Sequence, residues 1–302
     1  MTTRHISALS GLAAALFATT ALADGLTYAN VTLTGLTDGD DSIGSLIGDI
    51  DYSFGAIELS VSGGGMFGEG YDLGSVAARI GYRFGAVTPY LFTGAGDFGG
   101  NSITGLGLGI DYTGANFGVM AEYADIENTD TYHVGGYYSF GRTTVLAGYN
   151  DIGNFEALAL GIDYQADRLG LTLVTNWDPD SFSNGLTAMG ASYDMGRYDV
   201  FASVLTSNDD FLADGYITLG AGYDISERYS VEASYTDGFG GASGMDGMFG
   251  LNLTYELGGA RTRVADQLSD HIDNIKMPMM EAFGSKLLRP YYGPTMVFAG
   301  PT

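Results

Sequence analysis

The stretch GLGLGIDYTG at residues 105–114 decides the fold. Leu106, Leu108, Ile110 and Tyr112 alternate with Gly105, Gly107, Gly109 and Asp111, a period of two that belongs to a β-strand and not to a helix. One face of that strand is apolar; the other is small or acidic. The same ending returns along the chain as GDIDYSFG at 48–55, ARIGYRFG at 78–85, GGYYSFG at 135–141, LGIDYQA at 160–166, GASYDMG at 190–196, GAGYDIS at 220–226 and LNLTYELG at 251–258. Its eight tyrosines, Tyr52, Tyr82, Tyr112, Tyr138, Tyr164, Tyr193, Tyr223 and Tyr255, stand 26 to 32 residues apart. A short turn follows each, such as Phe54-Gly55-Ala56 or Phe140-Gly141-Arg142, and then a second alternating segment, such as Phe117, Val119, Ala121 and Tyr123. The repeat is therefore a β-hairpin of two strands of roughly ten residues each. Eight hairpins predict 16 strands.

An apolar face must be covered, and the opposite faces of these strands leave nothing to build a second soluble layer. The composition agrees: 48 of 302 residues are glycine and 16% are charged, against roughly 25% in an average soluble domain. Lipid covers the face if the sheet closes and loses its edges. The fold expected is all-β, a transmembrane antiparallel up-and-down β-barrel of about 16 strands. The eight closing tyrosines then form one aromatic girdle, and Tyr71, Tyr123, Tyr132, Tyr149, Trp177, Tyr216 and Tyr235 fall near the other interface.

Three segments follow. Residues 1–23, with Arg4, an apolar run from Ile6 to Phe17 and the ending Ala21-Leu22-Ala23, read as a cleavable signal peptide. Residues 24–258 are the barrel. They carry 32 acidic and six basic residues and no lysine, while 259–302 carry four and five. Arg142, Arg168, Arg197 and Arg228 fall in the tyrosine-side turns, Arg83 beside another, and only Arg79 stands deeper in a strand. The tail 259–302 spaces Val264, Leu268, Ile272, Ile275 and Met279 as a short amphipathic helix over about 262–280. The periplasm, the membrane surface and the barrel interior are all open to it; the first, free or loosely packed, is the place expected. Outer loops are expected near 38–44, 63–72, 94–101, 125–130, 150–155, 178–185, 207–215 and 237–246. Asp38, Asp40, Asp41, Asp178, Asp180, Asp209 and Asp210 at their tips read as turn formers, or as bridges through divalent cations to anionic outer lipid.

Parity places Asp49, Asp51, Glu58, Asp111, Glu122, Asp163, Asp194, Asp224, Glu232 and Glu256 on the lumen side, opposed by Arg79 and Arg83. Carboxylates on a water-filled path concentrate cations and deplete anions, so weak cation preference is expected. The overall charge of −24 excludes nucleic acid as a partner, and the absence of cysteine removes thiolate chemistry and Cys-based zinc sites. His133 faces the lumen among Tyr137 and Ser139, with no nucleophile and orienting partner placed by spacing. No enzyme activity, metal or cofactor is expected.

On these features residues 24–258 resemble Gram-negative outer-membrane porins, especially 16-stranded general porins of the alphaproteobacterial type. The final alternation Phe249, Leu251, Leu253, Tyr255, Leu257 looks like the C-terminal strand signal read by the barrel assembly machinery. The resemblance implies an outer-membrane location, contact with lipid and lipopolysaccharide, passive diffusion of small hydrophilic solutes, and a homotrimer. Porins of this type end at that strand and fold a long third loop into the pore. Here a 44-residue tail follows and no outer loop is long. The alternative is a non-channel barrel: a scaffold, an adhesin or a plugged receptor.

Overall fold

The computed structural model describes residues 25–68, 71–98, 101–153, 155–244, 247–258, 261 and 263–276; the signal-peptide reading of 1–23 lies outside the described residues. The chain forms 16 strands. They are β1 (Leu26–Thr37), β2 (Ser42–Phe54), β3 (Ile57–Gly68), β4 (Tyr71–Tyr82), β5 (Val87–Phe98), β6 (Asn101–Thr113), β7 (Phe117–Ile126) and β8 (Thr129–Phe140). Then come β9 (Thr143–Ile152), β10 (Phe155–Gln165), β11 (Leu169–Asp178), β12 (Ser181–Asp194), β13 (Tyr198–Ser207), β14 (Gly215–Asp224), β15 (Tyr229–Phe239) and β16 (Met248–Gly258). Each pairs antiparallel with its sequence neighbours, and β1 pairs β16 from Tyr28↔Gly258 to Thr37↔Phe249, so the barrel closes. The predicted strand number and up-and-down order are both found.

The barrel is apolar outside and polar inside. In β6, Leu106 is 65% exposed and Leu108 55%, whereas Asp111 between Ile110 and Tyr112 is 3% exposed. Lumen-facing threonines, serines and asparagines such as Thr88, Thr131, Asn150, Thr218 and Asn252 are buried. An outer wall of this kind needs lipid against it. Leu108→Arg is accordingly expected to cost about 2–4 kcal/mol, read as the shift in urea unfolding from lipid vesicles. An unchanged midpoint would mean that lipid does not cover this face.

The turns follow from their glycines. Gly55, Gly85 and Gly141 take φ of 63°, 64° and 64° as the first central residues of two-residue hairpins, the position at which a type II′ turn requires a positive φ. At the other end Glu127 and Asn128 both have positive φ between Ile126 and Thr129, the type I′ pattern. Expected outer loops such as 63–72, 94–101 and 178–185 are mostly strand: Gly63 pairs Val76, Gly65 pairs Gly74, Gly94 pairs both Ala77 and Gly105, and Asp178 pairs Ser181. Glycine carries no alternation signal, yet its N–H and C=O still join the ladder.

Both aromatic bands are present. The closing tyrosines all take the outward register, with ring contacts Tyr52–Phe54, Tyr198–Tyr223 and Tyr229–Tyr255 at 5.9, 4.8 and 4.9 Å. At the far end Tyr123 meets Tyr132 at 5.3 Å, Trp177 meets Phe182 at 5.6 Å and Tyr235 meets Phe249 at 4.9 Å. Tyr216 is a correction: its register opposite Leu205 turns it into the lumen. The side chain of Tyr71 lies outside the described residues.

Candidate functional site

The largest departure from expectation is the tail. Its described residues, 261 and 263–276, lie inside the barrel and not in the periplasm. The chain leaves β16 at Gly258, whose φ is 111° and where a Cβ would lie 2.3 Å from the Thr27 carbonyl oxygen, a position only glycine fills. Arg261 Nη2 then donates to Asp49 of β2 at 2.7 Å, with its guanidinium 4.4 Å from the centre of the Tyr28 ring. Arg263 pairs with Asp51 at 3.1 Å and with Asp266. Helix α1 (Val264–Asp273) follows. It is shorter than the expected 262–280, whose last residues lie outside the described ones, and Asp266 in its first turn suits the positive end of the helix dipole.

One face of α1 is apolar, and the wall matches it. Val264, Leu268, Ile272 and the following Ile275 form one buried cluster with Met120 of β7, Leu146 of β9, Val174 of β11, Ala188 of β12 and Leu205 of β13. Those five wall residues occupy lumen-facing registers, and a separate apolar pair, Ile47 and Met66, lies on β2 and β3. Val264 and Leu268 are fully buried, each contributing roughly 1.5–3 kcal/mol. Two wall glycines make room. A Cβ at Gly118 would stand 2.9 Å from Val264 Cγ2, and one at Gly190 only 2.7 Å from Ile275 Cα.

Polar contacts finish the fit. His271 Nδ1 stands 2.8 Å from Asp163 Oδ2; a carboxylate only accepts, so Nδ1 carries the proton. Asn274 donates to the same oxygen at 3.2 Å, while Thr172 and Gln165 donate to Oδ1. Lys276 Nζ reaches Asp199 at 2.5 Å and Glu232 at 3.2 Å, and Ser203 Oγ donates to the Lys276 carbonyl at 3.1 Å. Burial alone would pull the Lys276 ammonium down, but Glu232 and Asp199 more than offset it, so its pKa is raised and the charge persists at neutral pH.

Among the described residues, space remains beside α1. A cavity of about 410 Å³ lies between α1 and a wall that includes Ser60 and Ser62 of β3, Ser75 and Arg79 of β4, and Tyr90 of β5. Arg79 bonds Asp111 at 2.8 Å, approaches Glu58 at 4.0 Å and covers the Tyr90 ring at 3.7 Å. Gly109 leaves the space that Tyr90 fills: a Cβ there would meet the ring at 2.4 Å.

The ten acids assigned to the lumen by parity thus divide by partner. Asp49, Asp51, Asp163 and Glu232 meet the tail; Glu58 and Asp111 meet Arg79, with Arg83 also on Glu58. Glu122 accepts from the Tyr90 hydroxyl at 2.8 Å, and Glu256 borders the cavity. Asp194 sits at the rim, accepting from the Gly196 N–H at 2.6 Å, and Asp224 is exposed at the end of β14. Asp199 escaped that set, although the lumen parity of β13 marks it. His133 is buried with Nδ1 2.9 Å from Asn150 Oδ1. The loop acids act as turn formers: Asp38 Oδ1 accepts from the N–H groups of Asp41 and Asp40 at 2.8 and 3.0 Å, which holds its carboxyl below the usual range, and Asp178 accepts from Asp180. Among the described residues, no three acidic or histidine side chains gather to hold a metal ion.

This barrel is similar to solved structures of variants of the Rh. blastica porin. One has 15% identity, a TM-score of 0.56, and an alignment over 77% of this chain and 99% of that one. The fold is that of a porin. A second variant matches this porin-like barrel at 14% identity and the same TM-score and coverage. CdiB from Acinetobacter baumannii matches it at 7% identity and a TM-score of 0.56, over 76% of this chain and 60% of that one. No protein-family profile and no curated relative matches the porin-like chain.

Proposed function

We propose that the protein is a non-enzymatic outer-membrane channel for passive diffusion of small hydrophilic solutes and ions. Its width is limited by α1 to the side of the lumen lined by β1–β5. The observation that carries this reading is the cavity, lined in part by charged and hydroxyl side chains, that the described residues leave beside the helix in a closed, outwardly apolar barrel. Weak cation preference goes with it: Asp49, Glu122, Glu256, Asp266, Asp270 and Asp273 line that cavity against Arg79, Arg261 and Arg263. The even strand count puts both barrel ends of the chain on the tyrosine side, which we assign to the periplasm. The signal-peptide pattern of residues 1–23 and the β16 alternation support export and insertion by the barrel assembly machinery, with lipopolysaccharide around the outer rim and a homotrimer as the assembly.

Planar-bilayer recording of the purified full chain tests this. Stable steps are expected, with a reversal potential in a KCl gradient of the sign that favours K⁺. Reversal of the opposite sign would remove the cation preference alone. Complete silence would favour the second reading, a sealed barrel serving as scaffold, adhesin or receptor. The observation behind that reading is the apolar cluster that α1 forms across the lumen.

A further inference from the structure

The sheet is complete without the tail. All 16 strands are paired in a closed ring, and α1 contributes no strand to it. Where the tail meets the wall, its bonds run through side chains: Arg261 on Asp49, Arg263 on Asp51, His271 on Asp163, and Lys276 on Asp199 and Glu232. Even the bond to a tail carbonyl, that of Lys276, comes from the side chain of Ser203. The chain leaves β16 at Gly258, whose φ of 111° is open to glycine and not to other residues. The apolar patch, the two wall glycines and the wall acids together describe a receptor surface built for one amphipathic helix flanked by cationic side chains at both ends.

We propose that Arg261–Lys276 is a gate. Docked, it confines passage to the cavity beside β1–β5; undocked, it frees the whole lumen, and the porin-like channel has a small and a large conductance level. This rests on the diffusion-channel reading above. The segment carries three basic and three acidic residues, so a transmembrane voltage exerts little net force on it. The levers are instead the contacts themselves.

The chain has no cysteine, so a disulfide lock is clean. Gly118→Cys with Val264→Cys brings two Cβ atoms within the roughly 3.5–4.5 Å that a disulfide spans, since Val264 Cγ2 lies 2.9 Å from the Cβ position of residue 118. The Tyr137 ring edge, 2.5 Å from that position, must swing aside. Single-channel recording of the full-length double variant is expected to show only the small level when oxidised, and both levels after dithiothreitol. A second variant, Arg261→Gln with Arg263→Gln, alters no strand and is expected to raise the time in the large level at least tenfold. A single level that neither oxidation nor the arginine changes alter would overturn the gate and leave the channel standing. Silence in the oxidised protein with steps after reduction would support the gate and remove the side path. Silence under every condition would overturn the channel reading, and the gate with it.

Discussion

Gly190→Leu is expected to expel helix α1 while leaving the barrel intact. Gly190 faces the lumen from β12, opposite Thr172 and Ser203 in its neighbours, and its own ladder bonds are unaffected by a side chain on that face. A Cβ there would stand 2.7 Å from Ile275 Cα and 2.9 Å from the Ile275 carbonyl oxygen. Both are backbone atoms, which cannot rotate away as a side-chain tip can, so the tail must move as a piece. Once it moves, Ile275 and Ile272 leave the cluster around Val174, Ala188 and Leu205. A ten-residue helix without tertiary packing is not stable in water, because nucleation is costly and propagation is short. Undocking and unfolding therefore coincide. Hydrogen exchange in lipid nanodiscs reads this directly: amides of 264–275 should exchange at least a hundredfold faster than in the unaltered chain, with strand amides unchanged. Retained protection over 264–275 would show that the tail is not held at Gly190. The readout needs no assumption about conduction.

The same residues show why the tail's place was hidden in the sequence. The barrel was legible because alternation repeats eight times, and because an apolar face with no covering layer has one stable solution, closure in lipid. The stripe Val264, Leu268, Ile272 and Ile275 gives a helix, but a single apolar stripe fits a membrane surface, another protein or a lumen equally well. What distinguishes the lumen is on the wall. Met120, Leu146, Val174, Ala188 and Leu205 break the polar parity on β7, β9 and β11–β13, and each break taken alone looks like scatter. They become a patch only when 16 strands are closed and the five positions are brought to one side. The lumen acids were legible by parity, but their partners lie up to 212 residues away in sequence, as with Asp49 and Arg261, so charge counting along the wall misses the ion pairs that Arg261, Arg263 and Lys276 bring to Asp49, Asp51, Asp199 and Glu232. The strand ends at Gly63–Gly65 and Gly94–Gly96 were lost for a simpler reason: pairing there is by backbone alone.

Arg79 is the one strand-borne cation well inside the lumen, and its removal is expected to cost the barrel about as much as a charge placed on its lipid face. Its side chain is 11% exposed, and the Asp111 side chain beside it 5%. Glu58, 4.0 Å away, keeps Arg83, so the group stranded by Arg79→Ala is Asp111. A buried carboxylate left without its cation typically costs 3–5 kcal/mol. The water-accessible cavity beside Arg79 moves the expectation to the lower end, about 3 kcal/mol, before the lost packing over the Tyr90 ring is counted. The pair need not be strongly favourable for this to hold, because the penalty comes from the charge left behind and not from the bond removed. Arg79→Met combined with Asp111→Leu removes both charges and is expected to recover most of the loss. The unfolding midpoints in urea, from lipid vesicles, of the unaltered chain, Arg79→Met, Asp111→Leu and the double variant form a double-mutant cycle whose coupling should exceed about 1.5 kcal/mol. A loss below about 1 kcal/mol for Arg79→Ala would mean that Asp111 is hydrated as a surface acid is, and that water fills the β4–β6 side of the lumen more fully than the buried geometry implies.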